Sequence, residues 1–550
     1  MGRWLAIHAA FLGLAVAILQ PALAGPFISD DHLYVNHPYT GELSVANLVA
    51  ILDPFGPAKL HTANYEPVHL LLHALGRQIF ADATGGYHWL NVWVHALVAT
   101  LLVALWTRSR IPLPAALLAA AFFAVHPANV EAVAWISQLK TTGSVALALG
   151  ALLCLPRHAV VSTALFALAL LTKASAAFAL PMAAGFAWAR ANTCSTLLES
   201  SRAPGPARGA ATSFGRVGAW GLVFAAFAAP QLVSFEHLGR VEVEAFADPW
   251  VQLRTIGATG ARYLAMAATG WGVSAYQEPD PALSPLDPWW LASLAAAALT
   301  ALRLAVVWRR HDEEAAYWLG ALAAFAPVSQ LFPFLNPMAD RYLYTMLPGL
   351  LGAVLCAGRD APIWAAPRAR IAAAVGAAVV VALFGAASFE RARLWQSETL
   401  LNLDAARHYP EGGSARFLRA RRAAQAGDVE RAVAELRAAS RRGVDNFTIL
   451  ERDPGLAPIR EEPAFRELVR EVAGRWIDRA TRRGVATQAE LRFLGIAHVV
   501  RGELEPAIAA FERALAVGGP QQQAVAADLE GVRRLRAAER SVDEDPGDVP

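Results

Sequence analysis

Apolar stretches of helix length follow one another along the first 390 residues and then stop. An exposed backbone cannot cross lipid, so stretches long enough to span a bilayer must be helices. The later residues alternate charged and apolar positions as amphipathic helix pairs do. The pattern predicts an all-α protein: a polytopic transmembrane domain over 1–390, a soluble helical domain over 391–540 and a disordered acidic tail over 541–550. Predicted spans lie at 4–24, 88–107, 112–128, 141–156, 158–173, 174–190, 217–235, 288–308, 315–334, 343–358 and 371–389.

Basic residues in the loops indicate the threading, because cytoplasmic loops are rich in Arg and Lys. With a cytoplasmic N-terminus, Arg108, Arg190 and Arg309 all fall inside. Residues 250–275 also predict a helix, but a span there would move the later Arg clusters outside. We therefore predict a re-entrant or interfacial helix with both ends outside. This gives about eleven spans and an external C-terminal domain.

The N-terminal apolar run ends in PALAG, which is also typical of a signal-peptide cleavage site. Residues 4–24 are long enough to span, and we favour an uncleaved first helix. Under either interpretation, the predicted first external loop, 25–87, carries Asp30 and Asp31 outside.

Composition agrees with a membrane protein. The chain is 55% hydrophobic and 17% charged, and its mean hydropathy is +0.35. It therefore has more apolar surface than a soluble protein needs to form a core. A net charge of +2 gives no indication of a nucleic-acid partner. Cys154, Cys194 and Cys356 are scattered, so neither a disulfide framework nor a cysteine metal site is predicted. The excess of Arg and Ala suggests a bacterial coding bias.

The C-terminal domain resembles an array of tetratricopeptide (TPR) repeats. The string LRFLGIAHVVRGELEPAIAAFERAL places Leu494-Gly495, Ala507, Phe511 and Ala514 at the packing positions of that repeat. A weaker copy covers 423–440, and a degenerate unit covers 451–469. Three units are about the minimum for a stable stack. Such repeats predict a surface that binds a peptide or subunit, or that presents an acceptor substrate.

Polar residues at membrane edges are costly and therefore candidates for function. The threading collects carboxylates, cations and aromatics on the external side: Asp30, Asp31, His32, Asn36, His61, Tyr65, Glu66, His69, His126, Glu131, Lys140, Lys173, Arg262, Tyr263, Asp340, Arg341 and Tyr342. The alternative is that these polar residues lie in solvated loops and have no functional role.

Asp30 and Asp31 follow the first span directly. Adjacent carboxylates repel, so one pKa rises, which suits a general base for a hydroxyl. The pair is also compatible with a divalent metal, Mg or Mn, without requiring one. The alternative is a polar cap after the helix.

Six strings occur in order through residues 1–390: FISDDHLYVNHP, NYEPVHLLLHAL, GYHWLNVWVHAL, FFAVHPANVEAVAWISQLKTT, LLTKASAAFALP and PVSQLFPFLNPMADRYLYTMLPGL. Together with the repeat tail, they resemble the TMTC-type and related bacterial GT-C membrane glycosyltransferases. The resemblance implies a GT-C fold and an inverting transferase that uses a polyprenyl-phosphate-linked sugar on the extracytoplasmic face. In a bacterium this means the inner membrane, with a periplasmic repeat domain and a protein or glycan acceptor.

The resemblance also implies roles for residues of this chain. Asp30 or Asp31 matches the position of the catalytic base, and Asp30 is favoured. Glu131 and His126 match the HP…E string, Glu131 being taken as catalytic. Lys173, Lys140, Arg341 and Tyr342 match positions suited to holding the lipid phosphate. His61, Tyr65 and Arg262 are further candidates for the site.

Several positions depart from the family pattern. Glu66 stands where Arg is usual, Ala174 replaces a Glu, and Asp340 replaces another Glu. Leu139 and Thr141 flank Lys140 where relatives often carry Arg and Asp. These changes leave open an inactive membrane scaffold that recruits partners through its repeats. A transporter is disfavoured, because no inverted repeat is visible and the charges gather at one membrane edge.

Overall fold

The computed structural model describes residues 2–62, 64–198, 207–238, 243–333, 336–361, 366–485, 487–519 and 521–544. These residues form helices and short 3-10 turns, and the β-type pairing among them is an isolated bridge between Gln277 and Met338. The predicted all-α class is confirmed. The chain divides into two compact units. The first comprises Met1–Asn36, Tyr65–Leu232 and Arg240–Asp404, and the second His37–Asn64, Val233–Gly239 and Ala405–Pro550.

The first unit, called the membrane unit below, contains the long apolar helices. Six helices in the described part of the chain are long and apolar enough to cross a membrane: Gly2–Ala22, Thr84–Arg108, Ile136–Cys154, Phe214–Ser234, Pro288–Arg310 and Pro367–Leu394. Two shorter apolar helices are Leu113–Ala124 and Ala159–Thr172. The remaining predicted spans contain the helices Ala179–Leu198, Glu314–Phe325 and Asp340–Gly358. Further helices are Asp31–Val35, Pro67–Phe80, Asn129–Ala134, Pro249–Thr269 and Glu398–His408.

One predicted span is shorter than expected. The α-helix of the segment 315–334 ends at Phe325, and a 3-10 turn, Ala326–Val328, follows it. Pro327 lies in that turn, and a proline cannot donate the backbone hydrogen bond that an α-helix needs. The proline therefore explains why the α-helix stops before the predicted end of the span.

Polar contacts gather at the two ends of the helices in the membrane unit, which are called the first and the second polar layer. Most of the predicted loop arginines lie in the second polar layer, which comprises residues 107–110, 153–158, 190, 216, 308–317 and 356–360. Arg216 donates to the Leu155 carbonyl at 2.9 Å, Arg359 donates to the Ser109 carbonyl at 3.2 Å, and Arg190 lies 3.5 Å from Glu313. The predicted inside arginines therefore meet at one end of the helices. Which layer faces the cytoplasm stays a prediction.

The first polar layer, 21–36, 126–140, 173, 267–277, 339–341 and 391–396, lies at the opposite helix ends. Gln396 donates to the Pro21 carbonyl at 3.0 Å, and Trp135 donates to the Ile28 carbonyl at 3.1 Å. These contacts bring the C-terminal ends of the first and last long helices to one level. Parallel first and last spans are what an odd number of crossings requires.

The helix Pro249–Thr269 lies across the first polar layer. Near its start, Gln252 donates to the carbonyls of Gln330 and Leu331, at 2.9 and 3.1 Å. Near its end, the Ala267 carbonyl lies 3.3 Å from His126 Nε2. Both sets of partners stand at the same end of their helices, so this helix does not run from one layer to the other. The arrangement agrees with the interfacial placement expected for residues 250–275.

The second unit, called the repeat unit below, contains antiparallel helix pairs. Its helices are Val45–Leu52, Ala58–Thr62, Gly413–Gln425, Val429–Ser440, Phe447–Arg452, Pro463–Arg483, Gln488–Arg501, Leu504–Val517 and Gln522–Glu544. A Cβ at Gly495 would lie 2.5 Å from the Phe511 ring. These two residues therefore meet as small and large packing partners, as the pattern predicts. The assignment of the unit as TPR repeats stays a prediction.

Candidate active site

Asp30 and Asp31 are neighbours in sequence with different environments. Asp31 is buried, and its two oxygens accept the backbone N–H groups of Ile28 at 2.9 Å and Ser137 at 2.7 Å. Asp30 is half-buried, and its side chain does not cap the helix Asp31–Val35 that it precedes. Asp31 thus ties the first loop to the turn Ile136–Gln138, and Asp30 is the carboxylate left available for chemistry.

The expected rise in one carboxyl pKa belongs to Asp31. Burial raises the pKa of Asp31 to about 7, while the backbone N–H groups of Ile28 and Ser137 lower it by less. The negative charge of Asp30 makes a smaller contribution to the rise. The main cause is therefore removal from water and not repulsion between the neighbours, which the sequence pattern had suggested.

Lys140 is engaged in a buried ionic group. Its Nζ donates to the Tyr34 hydroxyl at 2.5 Å and to Glu66 Oε2 at 3.4 Å, and the Tyr34 hydroxyl donates to the same Glu66 oxygen at 3.3 Å. The ammonium also lies 4.5 Å from the Tyr34 ring centre. Glu66 therefore neutralises the positive charge of Lys140, which weakens its expected role as a phosphate ligand.

Lys173, in contrast to Lys140, donates hydrogen bonds to uncharged side chains. Its Nζ donates to Thr141 Oγ1 at 2.7 Å and to Gln138 Oε1 at 3.4 Å. Among the residues that the structure describes, no carboxylate forms an ion pair with this ammonium. An ammonium with only neutral partners retains its attraction for an anion. Of the predicted phosphate ligands, Lys173 is the best suited to that role.

Glu131 and Arg341 form a two-point contact. Glu131 accepts the Arg341 guanidinium on one oxygen and the Arg341 backbone N–H on the other, the latter at 2.7 Å. The guanidinium lies 5.1 Å from the Trp135 ring centre and 5.0 Å from the Tyr342 ring centre. Both carboxylate oxygens of Glu131 are thus occupied. The structure favours Glu131 as the residue that positions Arg341, in place of the direct catalytic role expected from the sequence.

The charged residues of the first polar layer act on one another. Asp30 interacts electrostatically with Lys140 and with Arg341. Lys173 lies within the influence of Lys140, Glu66, Arg341 and Glu131. The structure therefore brings together most of the residues predicted for the site: Asp30, Asp31, Glu131, Lys140, Lys173, Arg341 and Tyr342.

Other predicted candidates take structural positions. His126 is buried, with Nδ1 accepting the Ala128 N–H at 3.2 Å and Nε2 facing the Ala267 carbonyl, so both ring nitrogens are used. The Tyr65 N–H donates to Gln231 at 3.1 Å. Arg262 lies 5.1 Å from the Trp289 ring centre. His61 belongs to the helix Ala58–Thr62, and its side chain falls outside the described residues.

Two buried imidazoles stand beside this ionic group. His69 and His73 lie one helical turn apart with ring centres 4.4 Å from each other, and both contact the Tyr34 ring. Their four ring nitrogens are buried without hydrogen-bond partners among the described residues. Burial, followed by the positive charge of Lys140, lowers the pKa of His73 to about 3. Both imidazoles are therefore neutral near pH 7, since the pKa of His69 is also far below its usual value.

Arg391 and Asp404, which the sequence reasoning missed, tie down the loop after Pro249–Thr269 together with Asp340, which it had named. Arg391 lies 3.3 Å from Asp340 and 3.4 Å from Asp404, and all three are buried. Asp340 accepts the Ser274 N–H at 3.2 Å, and Asp404 accepts the Ala275 N–H at 3.0 Å. Arg391 follows the last predicted span, so the only signal available was an arginine at a membrane edge.

A divalent metal at the acidic pair does not fit this arrangement. Both oxygens of Asp31 accept backbone hydrogen bonds, which leaves Asp30 alone. In the part of the chain that the structure describes, no group of three or more His, Cys, Asp or Glu residues could hold a metal ion.

The fold and the site define an all-helical polytopic membrane protein with a carboxylate beside cations at one end of its helices. A 151-residue stretch is 34% identical to the Drosophila melanogaster protein named Protein O-mannosyl-transferase Tmtc1, and supports a TMTC-like relationship. That stretch covers 26% of this chain and 17% of the relative, so the chain spans less than a fifth of the relative's length. No family model and no solved structure matches the chain.

Proposed function

We propose that this chain is an integral-membrane glycosyltransferase of the GT-C type. It transfers a sugar from a polyprenyl-phosphate donor to an acceptor hydroxyl at the first polar layer. The observation that carries the proposal is that the two adjacent carboxylates, Asp30 and Asp31, differ in burial and hydrogen bonding. Both oxygens of Asp31 accept backbone hydrogen bonds, whereas Asp30 is half-buried and interacts electrostatically with Lys140 and Arg341.

In this mechanism Asp30 accepts the proton of the acceptor hydroxyl as its oxygen attacks the anomeric carbon. The bond between that carbon and the phosphate oxygen breaks, and the electron pair leaves with the polyprenyl phosphate. Attack opposite to the leaving group inverts the anomeric centre. Asp30 fits this role because its side chain does not cap the helix that follows it, whereas both oxygens of Asp31 accept backbone N–H groups.

Lys173 and Arg341 hold the donor phosphate and offset the negative charge that grows on it. Lys173 has only neutral hydrogen-bond partners among the described residues, so no carboxylate competes with the phosphate for its Nζ. Arg341 shares its charge with Glu131, which orients the guanidinium between two aromatic rings. Tyr342 borders the same guanidinium, whereas the charge of Lys140 is already neutralised by Glu66.

The relative's printed name supports mannose as the first donor sugar to test. We further propose that the first polar layer faces the extracytoplasmic side of a bacterial inner membrane. The repeat unit then presents a protein or glycan acceptor from that side, and the donor arrives through the outer leaflet. The residues at the acidic pair do not fit a bound Mg or Mn ion, so no step uses one.

The test is sugar transfer by the purified full chain in lipid nanodiscs, with polyprenyl-phosphate mannose and glucose as donors. Asp30→Asn and Lys173→Ala are compared with Glu390→Gln, an exposed residue near the same helix end. The proposal predicts loss of transfer in the first two variants and wild-type transfer in the third. Absence of transfer by the wild type with every donor would count against it.

A membrane scaffold is the second candidate. Two of the site cations, Lys140 and Arg341, are already neutralised by buried carboxylates, as a purely structural ionic group would be. On this alternative the repeat unit recruits a partner and no sugar moves. Partner capture that survives Asp30→Asn and Lys173→Ala, with no turnover, would favour the scaffold.

A further inference from the structure

The turn Ile28–Asp31, here called the base turn, carries the proposed base between its two ends. The Asp31 N–H donates to the Ile28 carbonyl at 3.0 Å and closes the turn. The same carbonyl accepts the indole N–H of Trp135 at 3.1 Å. At the other end of the turn, the Asp31 carboxylate accepts the Ser137 N–H at 2.7 Å. One distant segment of the chain therefore holds both the first and the last residue of the base turn.

The base turn also contains a strained backbone. Ser29 has a φ of 51°, in the left-handed region that residues with a side chain rarely adopt. Such a conformation persists only where the surrounding structure holds it, and it is found most often where the chain has to place a particular group. Asp30 is the next residue, so its position depends on the contacts that hold the turn.

The ring of Trp135 contacts the proposed phosphate ligand. The Arg341 guanidinium lies over the indole, 5.1 Å from the ring centre, where the ring attracts a cation. Glu131 binds the same guanidinium, and the Glu131 carbonyl accepts the Trp135 N–H at 3.3 Å. One side chain thus contacts the base turn through its N–H group and the proposed phosphate ligand through its ring.

The backbone of Trp135 is itself fixed to the membrane-spanning helices. The Asn91 amide group donates to the Trp135 carbonyl at 3.2 Å and to the Val133 carbonyl at 2.8 Å, and its oxygen accepts the Thr142 hydroxyl at 2.6 Å. Asn91 belongs to the long apolar helix Thr84–Arg108 and is fully buried. The indole therefore extends from a rigid part of the fold.

Burial alone does not explain the hydrogen bond of this indole. Trp106 and Trp220 are fully buried in the membrane unit, yet their indole N–H groups have no hydrogen-bond partner among the described residues. Trp135 differs from them because its N–H and its ring are both used, and each contacts a different part of the proposed site.

We propose that Trp135 sets the separation between Asp30 and Arg341. In the transfer reaction the attacking hydroxyl and the leaving phosphate lie on opposite faces of the anomeric carbon, so the base and the cation have to be a fixed distance apart. The indole N–H places the base turn, and the indole ring places the guanidinium. Trp135 is a positioning residue, because it acts through these two side chains. This inference rests on the proposed function and names the residue that aligns its two halves.

Two substitutions separate the two contacts in the full chain in nanodiscs. Trp135→Phe keeps an aromatic ring for Arg341 but removes the N–H group, whereas Trp135→Leu removes both. Trp135→Phe is expected to lower the maximal rate of mannose transfer about tenfold and to leave binding of polyprenyl phosphate without sugar unchanged. Trp135→Leu is expected to lower the rate as well and to weaken that binding about tenfold.

Trp106→Phe is the matched control and is expected to change neither the rate nor the binding. A purely structural role of Trp135 predicts that both of its substitutions lower transfer and binding together, in proportion to the stability lost in unfolding measurements. That result would overturn the proposal. Trp135→Phe is also expected to add little to the loss caused by Asp30→Asn, because it acts through that carboxylate. Full additivity of the two losses would contradict the proposal.

Hydrogen–deuterium exchange of the base turn separates this inference from the proposed function. Trp135→Phe is expected to speed exchange in the peptide that contains the turn, whereas Trp106→Phe is not. If the wild type transfers mannose and Trp135→Phe matches it in rate and exchange, the inference fails and the function stands. If the wild type transfers nothing, but exchange and phosphate binding respond as expected, the function fails and the placement of both groups by Trp135 stands. Unchanged exchange overturns the inference regardless of turnover.

Discussion

Glu66 and Lys140 form a buried ion pair, with Oε2 3.4 Å from Nζ and with the Tyr34 hydroxyl bonded to both. Glu66 departs from the arginine usual in the family that the sequence resembles, and Thr141 departs from an aspartate beside the lysine. In this chain the carboxylate at position 66 provides the opposite charge that Lys140 needs. The Glu66 departure is therefore compensated by the charge of Lys140 within the site.

Breaking this pair from one side should be costly. Lys140→Met leaves a buried carboxylate and Glu66→Gln leaves a buried ammonium, each costing about 3–5 kcal/mol of folding free energy. The double variant is expected to lose less than the sum, because neither charge remains unpaired. Unfolding of the purified protein in detergent measures all three. Strictly additive losses would contradict the pairing.

Asp30 and Asp31 should separate activity from stability. Asp30→Asn is expected to lower transfer by at least about 100-fold, since a general base contributes that much, with little change in unfolding. Asp31→Asn is expected to lower stability by about 1–3 kcal/mol, because an amide nitrogen cannot accept one of the two N–H groups. Transfer rates and unfolding curves are compared in parallel. A stably folded but inactive Asp31→Asn protein would reverse the assignment.

The pH dependence of stability should carry a contribution from Asp31. The folded state keeps this carboxyl protonated up to about pH 7, whereas the unfolded chain releases the proton near pH 4. The folded state binds more protons between these values, so this contribution is greatest below pH 4 and is lost as pH rises through 7. The stability difference between wild type and Asp31→Asn should therefore shrink over that range. A constant difference would contradict the raised pKa.

Substituting a buried imidazole is expected to preserve or increase stability, in contrast to the losses expected for the variants above. All four nitrogens of His69 and His73 are buried without partners among the described residues, and such groups cost free energy. His73→Leu, of similar size, is expected to leave stability unchanged or raise it by about 1 kcal/mol. Thermal unfolding measures the change. A clear loss of stability would mean that the imidazole has a polar partner, such as a bound water or ligand.

The repeat unit offers a matched pair of glycines. A Cβ at Gly495 would lie 2.5 Å from the Phe511 ring, whereas a Cβ at Gly531 meets nothing within 4 Å. Gly495→Ala is expected to cost about 1–3 kcal/mol by overpacking. Gly531→Ala, inside the helix Gln522–Glu544, is expected to gain up to about 1 kcal/mol from helix propensity. Unfolding of the full chain tests both, and a harmless Gly495→Ala would contradict the close packing of the helix pair.

The helices, their apolar character and the two chemically distinct parts of the chain follow from local patterns, because a span or an amphipathic helix is encoded in consecutive residues. Loop charges also led to the prediction of a re-entrant or interfacial helix at 250–275 and of a collection of polar residues at one level. The roles within that collection required the tertiary structure. Asp31 meets Ser137 across 106 residues and Glu66 meets Lys140 across 74. No local sequence pattern predicts contacts between residues so far apart. Burial and hydrogen bonding in the folded chain decide that Asp31 is held by backbone N–H groups and that Asp30 stays available to react.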